Sequence, residues 1–364
     1  MRAGQRSREG LSRSAVDVSM RPRVGVVVNP NASRDVRRLT SLARTVDVHE
    51  RVNTVARVLS GLLAAGVRDI RFMLEPCRVV ERAWDELLAV GTLTGPSATP
   101  PVRAIEPTEA IDALGTTSAA AAMADAGVSC IVTVGGDGTN RAVAIGCGGG
   151  IIVPVPGGTN NAFAASIEPT AAGLAAGLFA AEPERYEGSV RRTPRLEVRV
   201  DDGPITMALV DVALVREGWV GARAMWDPGL LVEAVVARGD PTASGLAGIA
   251  GMLHPLDGGP PRALHIRFGD GGRVLKGALG PGRLVPLQVA GWRLLHTGEA
   301  VMSSPGPATI SLDGEREIVV APGRLVEIRL AANGPRVLDA GALLRCAARQ
   351  GRLTGPSERE QARA

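Results

Sequence analysis

The sequence predicts an α/β N-terminal lobe with a parallel, Rossmann-like sheet, followed by a β-sandwich-like C-terminal lobe. From residue 23 to about residue 165, short runs of β-branched residues alternate with helix-like segments. These runs are apolar throughout, as in strands that helices cover on both faces. Beyond about residue 185, short strands follow one another and are separated by glycine and proline, which is typical of an antiparallel sandwich.

The elements of the first lobe follow from spacing and from helix-end signals. Residues 49–66 predict a helix, because Val52, Val55, Ala56, Leu59, Leu62 and Leu63 share one face and Gly66 follows as a stop. Residues 108–127 predict a helix with a threonine N-cap and a closing glycine. The remaining elements are strands at 23–30, 67–74, 101–107, 129–134 and 151–156, and helices at 79–90 and from 138 onward.

The second lobe begins with two strands in 195–215, about an Asp-Asp-Gly turn. Further strands are predicted at 262–268, 273–278, 283–289, 308–312, 316–320 and 325–330, with helices at 228–238 and 243–253. A last helix at 340–351 is expected to pack back on the first lobe. The predicted organisation is a disordered tail at 1–22, the α/β lobe at 23–165, the β-rich lobe at 166–338, and a C-terminal helix and tail at 339–364.

Composition excludes several classes of protein. The chain is 45% hydrophobic and 21% charged, and its net charge of +4 includes no basic run interleaved with aromatic residues, so we expect no nucleic-acid partner. The Arg-rich start lacks the apolar segment of a secretory signal. The longest small-apolar run, 171–181, is shorter than the ~20 residues that a membrane span needs. We expect a cytoplasmic protein without a membrane span, and a homo-oligomer.

Cysteine and histidine do not predict a metal site. The cysteines are far apart and form no C-x-x-C pair, so we expect them to be buried and reduced, and the histidines lack ligand spacing. The cysteines are Cys77, Cys130, Cys147 and Cys346.

The turn Gly135-Gly136-Asp137-Gly138-Thr139 lies between a predicted strand and a predicted helix. It is neither a Walker loop nor a dinucleotide fingerprint, because Arg141 stands where the third glycine of that fingerprint would be. Successive glycines at a helix start can form an anion-binding nest. In such a nest, Asp137 would hold Mg²⁺ or accept the proton of an attacking hydroxyl. The alternative, a tight turn with Asp137 as a helix cap, is equally compatible with this turn alone.

Two more turns of this kind follow predicted strands. Gly157, Gly158 and Thr159 precede Asn160 and Asn161 after the strand at 151–156, and Asn29 and Asn31 surround Pro30 after the first strand. Each turn alone is explained by an ordinary N-capped helix or loop. Because the carboxyl ends of parallel strands share one sheet edge, the three turns together favour a phosphate-binding edge.

These motifs resemble the superfamily of ATP-NAD kinases, diacylglycerol kinases and sphingosine kinases. The runs at 158–178, 220–228 and 312–318 are most similar to the acetoin-catabolism protein X group, a NAD-kinase-like family. The similarity extends over about residues 23–350. It implies a NAD-kinase-like fold with the active site between the two lobes, and ATP and Mg²⁺ as cofactors.

The resemblance also implies roles for individual residues. Asp137 would be the catalytic carboxylate, and Asn161 and Asp211 would contact the substrate. Residues expected to bind the nucleotide are Asn29, Asn31, Gly135, Gly136, Gly138, Thr139, Gly158, Thr159 and Asn160. Asp313 and Glu315 are candidates for metal ligand or base, against an even alternative of a simple hairpin turn. Trp226 and Asp227 could line a substrate pocket, although a packed tryptophan beside a capped helix is the simpler interpretation.

One departure concerns the acceptor. NAD kinases carry an Asn-Glu pair where this chain has Val210-Asp211, so the carboxylate is kept in shortened form and the asparagine is lost. We expect an ATP-dependent phosphotransferase of the NAD-kinase-like type, linked to acetoin catabolism, that phosphorylates a hydroxyl of NAD or a related small molecule. Open alternatives are a lipid or polyol kinase with the same site, and a non-catalytic nucleotide-binding accessory or regulatory protein. The broken fingerprint at Arg141 argues against a dehydrogenase-type binder.

Overall fold

The computed structural model describes residues 22–30, 42, 47–91, 101–105, 112–158, 161–216 and 228–354. The expected tail at 1–22 lies, except for its last residue, outside the described residues, as do residues 355–364 of the C-terminal tail. The helices described are α1 Val48–Ala64, α2 Val79–Ala89, α3 Ala113–Asp125, α4 Asp137–Gly146, α5 Pro169–Ala181, α6 Pro183–Tyr186, α7 Leu246–Leu253 and α8 Ala340–Arg349.

Seventeen strands lie in the described ranges. They are β1 Arg23–Val28, β2 Asp69–Met73, β3 Val102–Ile105, β4 Cys130–Gly135, β5 Ile151–Pro156, β6 Val190–Arg192, β7 Arg195–Val200, β8 Thr206–Ala208, β9 Asp211–Val215, β10 Leu231–Val236, β11 Arg262–Gly280, β12 Arg283–His296, β13 Ala300–Ser303, β14 Ala308–Leu312, β15 Glu315–Val320, β16 Val326–Ala331 and β17 Arg336–Leu338. Short 3₁₀ turns occur at Glu187–Ser189 and Pro228–Leu230.

The first sheet confirms the predicted parallel α/β lobe. Within the described chain its strand order is β3-β2-β1-β4-β5-β17-β6, and the pairs from β3 to β17 are parallel. The central strands are buried on both faces because helices cover both: α1, α2, α5 and α8 on one side, and α3 and α4 on the other. The two apolar layers come almost entirely from Val, Leu, Ile and Ala.

Local signals explain where the helices begin. Asp47 is the N-cap of α1, and its carboxylate accepts a hydrogen bond from the Glu50 amide at 2.7 Å. Helix α3 begins at residue 113, later than expected, because the Asp112 carboxylate caps the amides of Leu114 and Gly115 at 3.0 Å. The threonine expected as its N-cap lies outside the described residues.

Helices α1 and α5 pack with their backbones in close contact. A Cβ placed on Gly61 would lie 2.1 Å from the Thr170 carbonyl oxygen, and one on Gly173 would lie 2.1 Å from that of Val58. Only glycine fits at these two crossing points. Helix α5 thereby belongs with the first sheet, whereas the expected boundary near residue 165 assigned it to the β-rich lobe.

The second lobe is the predicted sandwich of antiparallel sheets. In the described ranges, one sheet has the order β12-β11-β10-β9-β14-β15 and the other β13-β16-β7-β8. Their facing side chains, such as Val198, Leu214, Ile310 and Ile328, form the core between them. Helix α7, which lies within the predicted helix 243–253, covers the outer face of the larger sheet.

The predicted helix at 228–238 is wrong. Residues 231–236 form β10, which hydrogen-bonds on both sides, to β9 and to β11. Pairing on both edges and the valines of this segment outweigh a weak helical spacing. The separate strands expected between 262 and 289 are parts of one long hairpin, β11–β12.

The chain returns to the first lobe twice. Strands β6 and β17 extend the first sheet, and α8 buries Leu343 and Ala347 in its core, which confirms the expected return of the last helix. The chain therefore passes between the two lobes twice, from β6 to β7 and from β16 to β17, and both connections hold the sandwich against the parallel sheet. No helix in the described ranges has the length and apolar character needed to cross a membrane.

Candidate functional site

The candidate site lies where the strand order of the first sheet reverses. From β1 the chain moves outward to β2 and β3, then crosses back to β4 and β5 on the other side of β1. A crevice opens at the carboxyl ends of β1 and β4, which is where open parallel sheets bind ligands. Asn29 follows β1, and its Nδ2 donates to Thr139 Oγ1 at 3.0 Å, so the turns after the two strands are directly connected.

The glycine-rich turn after β4 becomes the first turn of α4. Gly136 is the N-cap in an extended conformation, and α4 begins at Asp137. The amides of Gly138 and Thr139 have no acceptor among the described residues, and they stand at the positive end of the helix dipole. Gly135 must be glycine, because a Cβ there would lie 2.6 Å from Thr139 Oγ1.

Asn140 holds this turn together and was not among the residues predicted from the sequence. It is fully buried, and its side-chain oxygen accepts from Thr133 Oγ1 at 2.5 Å. Its Nδ2 donates to the Gly136 carbonyl at 3.1 Å. The only signal in the sequence is an amide side chain directly after the glycine-rich turn, where a solvent-facing residue would be ordinary.

The Asp137 carboxylate connects the turns after β4 and β5. Its Oδ1 accepts the Phe163 amide at 2.9 Å and its Oδ2 accepts the Ala162 amide at 3.1 Å. The residue is 3% exposed. Asp137 therefore does not cap its own helix, as the simple turn interpretation had it, but fixes the backbone of the neighbouring turn.

The turn after β5 is shaped by Asn161. Its Oδ1 accepts the amides of Gly157 and Gly158 at 3.2 and 3.0 Å, and its Nδ2 donates to the Gly158 carbonyl at 2.7 Å. The Gly157 amide also reaches the Gly135 carbonyl at 3.0 Å. Substrate binding by Asn161 and phosphate binding by Gly158 stay predictions. The expected site residues Asn31, Thr159 and Asn160, and the pocket candidates Trp226 and Asp227, lie outside the described residues.

The second lobe contributes a buried turn between β14 and β15. Asp313 has φ of 52° and Gly314 has φ of 81°, so the turn needs left-handed backbone at both positions. The Asp313 carboxylate accepts the amides of Leu209 and Val210 at 2.9 and 2.8 Å, and the Asp313 amide donates to the Asp211 carbonyl at 2.9 Å. The hairpin interpretation was thus correct for the backbone, but the turn is inside the protein.

Burial is the main cause of a raised pKa at Asp313. Its side chain has no exposed surface, and this desolvation raises the carboxyl pKa to about 6, against the opposing attraction of Arg141. The negative charge of the nearby Asp137 carboxylate raises this pKa further, because it repels the charged form of Asp313 across the boundary between the lobes.

Arg141 joins α4 to the β14–β15 turn. Its Nη1 lies 3.8 Å from Asp313 Oδ2, and its Nη2 donates to Glu317. Burial lowers the pKa of Arg141, but Asp313, Glu317 and Glu315 outweigh that effect and raise it. Glu315 is close by, since a Cβ placed on Gly138 would lie 3.6 Å from its Oε1. The arginine that breaks the dinucleotide fingerprint is therefore the ion-pair partner of the second lobe.

Val210 and Asp211 lie beside this contact. Val210 is 1% exposed and packs in the same apolar layer as Val143 of α4. Asp211 is 4% exposed at the start of β9. A valine side chain makes no hydrogen bonds, so this position serves packing and not the role expected of an asparagine.

A magnesium ion held by Asp313 and Glu315 does not fit the donor set. The Asp313 carboxylate already accepts two strong amide bonds and faces Arg141. Among the described residues, no three carboxylate, imidazole or thiol side chains form a group that could hold a metal. The amides of Gly138 and Thr139, which have no acceptor among the described residues, do fit a phosphate group.

Two family models match the chain. The ATP-NAD kinase N-terminal domain matches residues 24–182, and the acetoin catabolism protein X C-terminal domain matches residues 194–333. Acetoin catabolism protein X of Cupriavidus necator is 35% identical over 338 residues, which covers 90% of this chain and 93% of the relative.

Solved structures with a related arrangement are more distant. Yeast NADH kinase complexed with NADH has a TM-score of 0.47 and 12% identity, covering 92% of this chain and 88% of that one. A putative diacylglycerol kinase from Bacillus anthracis has a TM-score of 0.42 and 14% identity, covering 87% and 96%. The assignment does not depend on these structures. On the sequence match over nine-tenths of its length, the chain belongs to the acetoin catabolism protein X family.

Proposed function

We propose that the chain is an ATP-dependent phosphotransferase of the NAD-kinase-like type that phosphorylates a hydroxyl group of NAD or a related small molecule. The observation that carries the proposal is the position of Asp137. It stands at the first turn of α4, at the reversal point of a parallel sheet, and the next residue, Gly138, lies beside Glu315 of the second lobe. Backbone amides for phosphate and a carboxylate for the acceptor thus share one crevice. The match to acetoin catabolism protein X supports a role linked to acetoin breakdown.

In this reaction the protein positions the acceptor hydroxyl against the γ-phosphate and stabilises the charge on the phosphate oxygens. The acceptor oxygen forms a bond to the γ-phosphorus of ATP while the bond from that phosphorus to the β–γ bridging oxygen breaks, and ADP leaves. The hydroxyl proton passes to the Asp137 carboxylate, which the amides of Ala162 and Phe163 hold in place. The amides of Gly138 and Thr139 stabilise phosphate charge.

A second candidate, a non-catalytic nucleotide-binding accessory, is favoured by one observation. Both interlobe aspartates are engaged with backbone amides, Asp137 with two and Asp313 with at least two, so each also has a purely structural role. In that case nucleotide binding at α4 would persist without transfer, and the loss of the family asparagine at Val210 would have no catalytic cost.

The direct test is ADP release in the presence of candidate acceptors. Purified protein with ATP and a magnesium salt is offered NAD, NADH, acetoin, glycerol and a diacylglycerol, and phosphorylated products are identified by mass spectrometry. We expect acceptor-dependent ADP release with NAD or another small molecule. ATP binding without transfer to any acceptor would refute the enzyme and support the accessory role. Turnover of diacylglycerol alone would support the lipid kinase alternative.

A further inference from the structure

A cavity of about 790 Å³ opens at the seam between the lobes, beside the candidate site. It lies between the turn after β5, the end of β6, the segment after β10 and the loop before β11. Its volume falls in the range of small-molecule sites, about 300–1,000 Å³. Its charged lining consists of Arg191, Arg192, Arg238, Arg262, Asp240 and Asp257.

The positive charge of this cavity is poorly compensated. The Asp240 carboxylate accepts hydrogen bonds from the amide and the hydroxyl of Thr242, at 2.8 and 2.7 Å. Arg192 donates to the Gly334 carbonyl at 3.1 Å, a neutral acceptor. In the part of the chain that is described, no carboxylate lies within ion-pair distance of Arg192, Arg238 or Arg262, and Arg191 reaches only Asp339 at 3.8 Å.

Arg238 is the most unusual of the four arginines. Its guanidinium lies over the Phe163 ring at 4.3 Å from the centroid. The side chain is partly exposed to the cavity, but its Nε is buried and has no acceptor in the described residues. Burial lowers the pKa of Arg238 to about 10, since the attraction of Asp137 and Asp313 does not offset it. A guanidinium with a buried, unpaired Nε–H is costly, and an anion bound at the exposed part of the side chain would offset that cost by compensating its charge.

The cavity is continuous with the contacts of the Asp137 carboxylate. Ala162 lines the cavity, and its amide donates to Asp137 Oδ2. Phe163 receives Arg238 on its ring and donates its own amide to Asp137 Oδ1. A molecule anchored at Arg238 would therefore extend towards the carboxylate proposed to take the acceptor proton.

We propose that this cavity binds the phosphate or carboxylate group of the phosphoryl acceptor, so that the acceptor is an anionic small molecule and not a neutral lipid or polyol. That the bound anion is the phosphoryl acceptor rests on the proposed function, whereas the existence of an anion site in this cavity does not. Planar guanidinium groups suit both anions through paired N–H bonds. A dinucleotide, whose bridging diphosphate carries negative charge, belongs to this class.

Calorimetric titration at low ionic strength tests the anion site, with inorganic pyrophosphate as the phosphate probe and citrate as the carboxylate probe. We expect saturable binding of at least one probe to the wild type. Arg238→Gln should weaken it at least tenfold, because charge-assisted hydrogen bonds are lost, and Arg238→Lys should weaken it less. Arg273→Gln, on the exposed hairpin, is the matched control and should bind within twofold of wild type.

The inference would be overturned if neither probe bound saturably, or if wild type and Arg238→Gln bound the probes equally well. Displacement of pyrophosphate by ATP would also overturn it, because the cavity would then belong to the nucleotide. If Arg238→Gln unfolds, Arg191→Gln serves instead, since its side chain is 61% exposed. Anion binding without ATP-dependent transfer would refute only the proposed function. Transfer to a neutral acceptor without anion binding would refute only this inference.

Discussion

Asp313 gives the sharpest quantitative prediction, because its carboxyl pKa of about 6 lies well above the ordinary value of 3.8. The folded state therefore binds this proton more tightly than the unfolded state, and the unfolding free energy falls as pH rises from about 4 to about 6. Each pKa unit is worth about 1.4 kcal/mol, so ionisation of Asp313 costs the folded state about 3 kcal/mol in total. About 1.4 kcal/mol of that loss falls between pH 5 and pH 7.5.

Asp313→Asn removes this titration. Urea unfolding of both proteins at pH 5 and pH 7.5 gives the stability difference at each pH, in which titrating groups remote from Asp313 cancel. We expect the stability of wild type relative to the variant to drop by about 1.4 kcal/mol over this interval. Asp202→Asn, at an exposed turn, should show no such drop. Equal differences at both pH values would show that burial does not raise the pKa of Asp313.

Three further predictions concern the packing and the site. Gly173→Ala should lower the unfolding free energy in urea by about 1–3 kcal/mol or more, because its Cβ would meet the Val58 backbone. Gly188→Ala, where nothing lies within 4 Å, should leave the stability unchanged, and equal losses in the two variants would contradict the helix contact. Thr139→Val removes the acceptor of Asn29 Nδ2, so it should lower the unfolding free energy by about 1 kcal/mol and weaken ATP binding in isothermal titration. Thr139→Ser keeps the hydroxyl and should preserve both the stability and the ATP affinity of wild type. Cys77 and Cys346 are only half-buried, contrary to the expectation that all four cysteines are buried, so in the folded protein a thiol reagent should label these two. The same reagent should spare Cys147 and Cys130, because both are buried and burial raises the pKa of the Cys130 thiol to about 12; labelling of Cys130 before unfolding would contradict its burial.

The parts of the fold that could be predicted are those with strong local signals. Apolar strands alternating with helical segments predicted the parallel sheet, and successive short strands separated by glycine and proline predicted the sandwich. Segment 228–238 failed, because pairing of β10 on both edges is a tertiary effect that its own residues do not encode. The place of α5 in the first lobe likewise depends on backbone contact at Gly61 and Gly173, which spacing alone does not reveal.

The candidate site shows the same division. The glycine-rich turn and the Asp313 turn were recognised as separate motifs, and the structure brings them together through Arg141. That arginine entered the sequence interpretation only as a broken fingerprint. Arg238 belongs to no motif, and its importance comes from burial, Phe163 and the cavity. Contacts between residues about 170 positions apart, such as Arg141 with Asp313, cannot be read from one sequence.

The most direct test of the central claim is the rate of ATP-dependent phosphorylated product formation by wild type and Asp137→Asn. The measurement uses the best acceptor from the screen and is made well below the melting temperature of both proteins. We expect one ADP per product molecule in wild type and a loss of about 10²–10⁴-fold in the variant, with Asp202→Asn unchanged. Because asparagine cannot accept both the Ala162 and Phe163 amides, melting curves must first show that the variant is folded. A folded Asp137→Asn protein with wild-type turnover would contradict the role of Asp137 as the base.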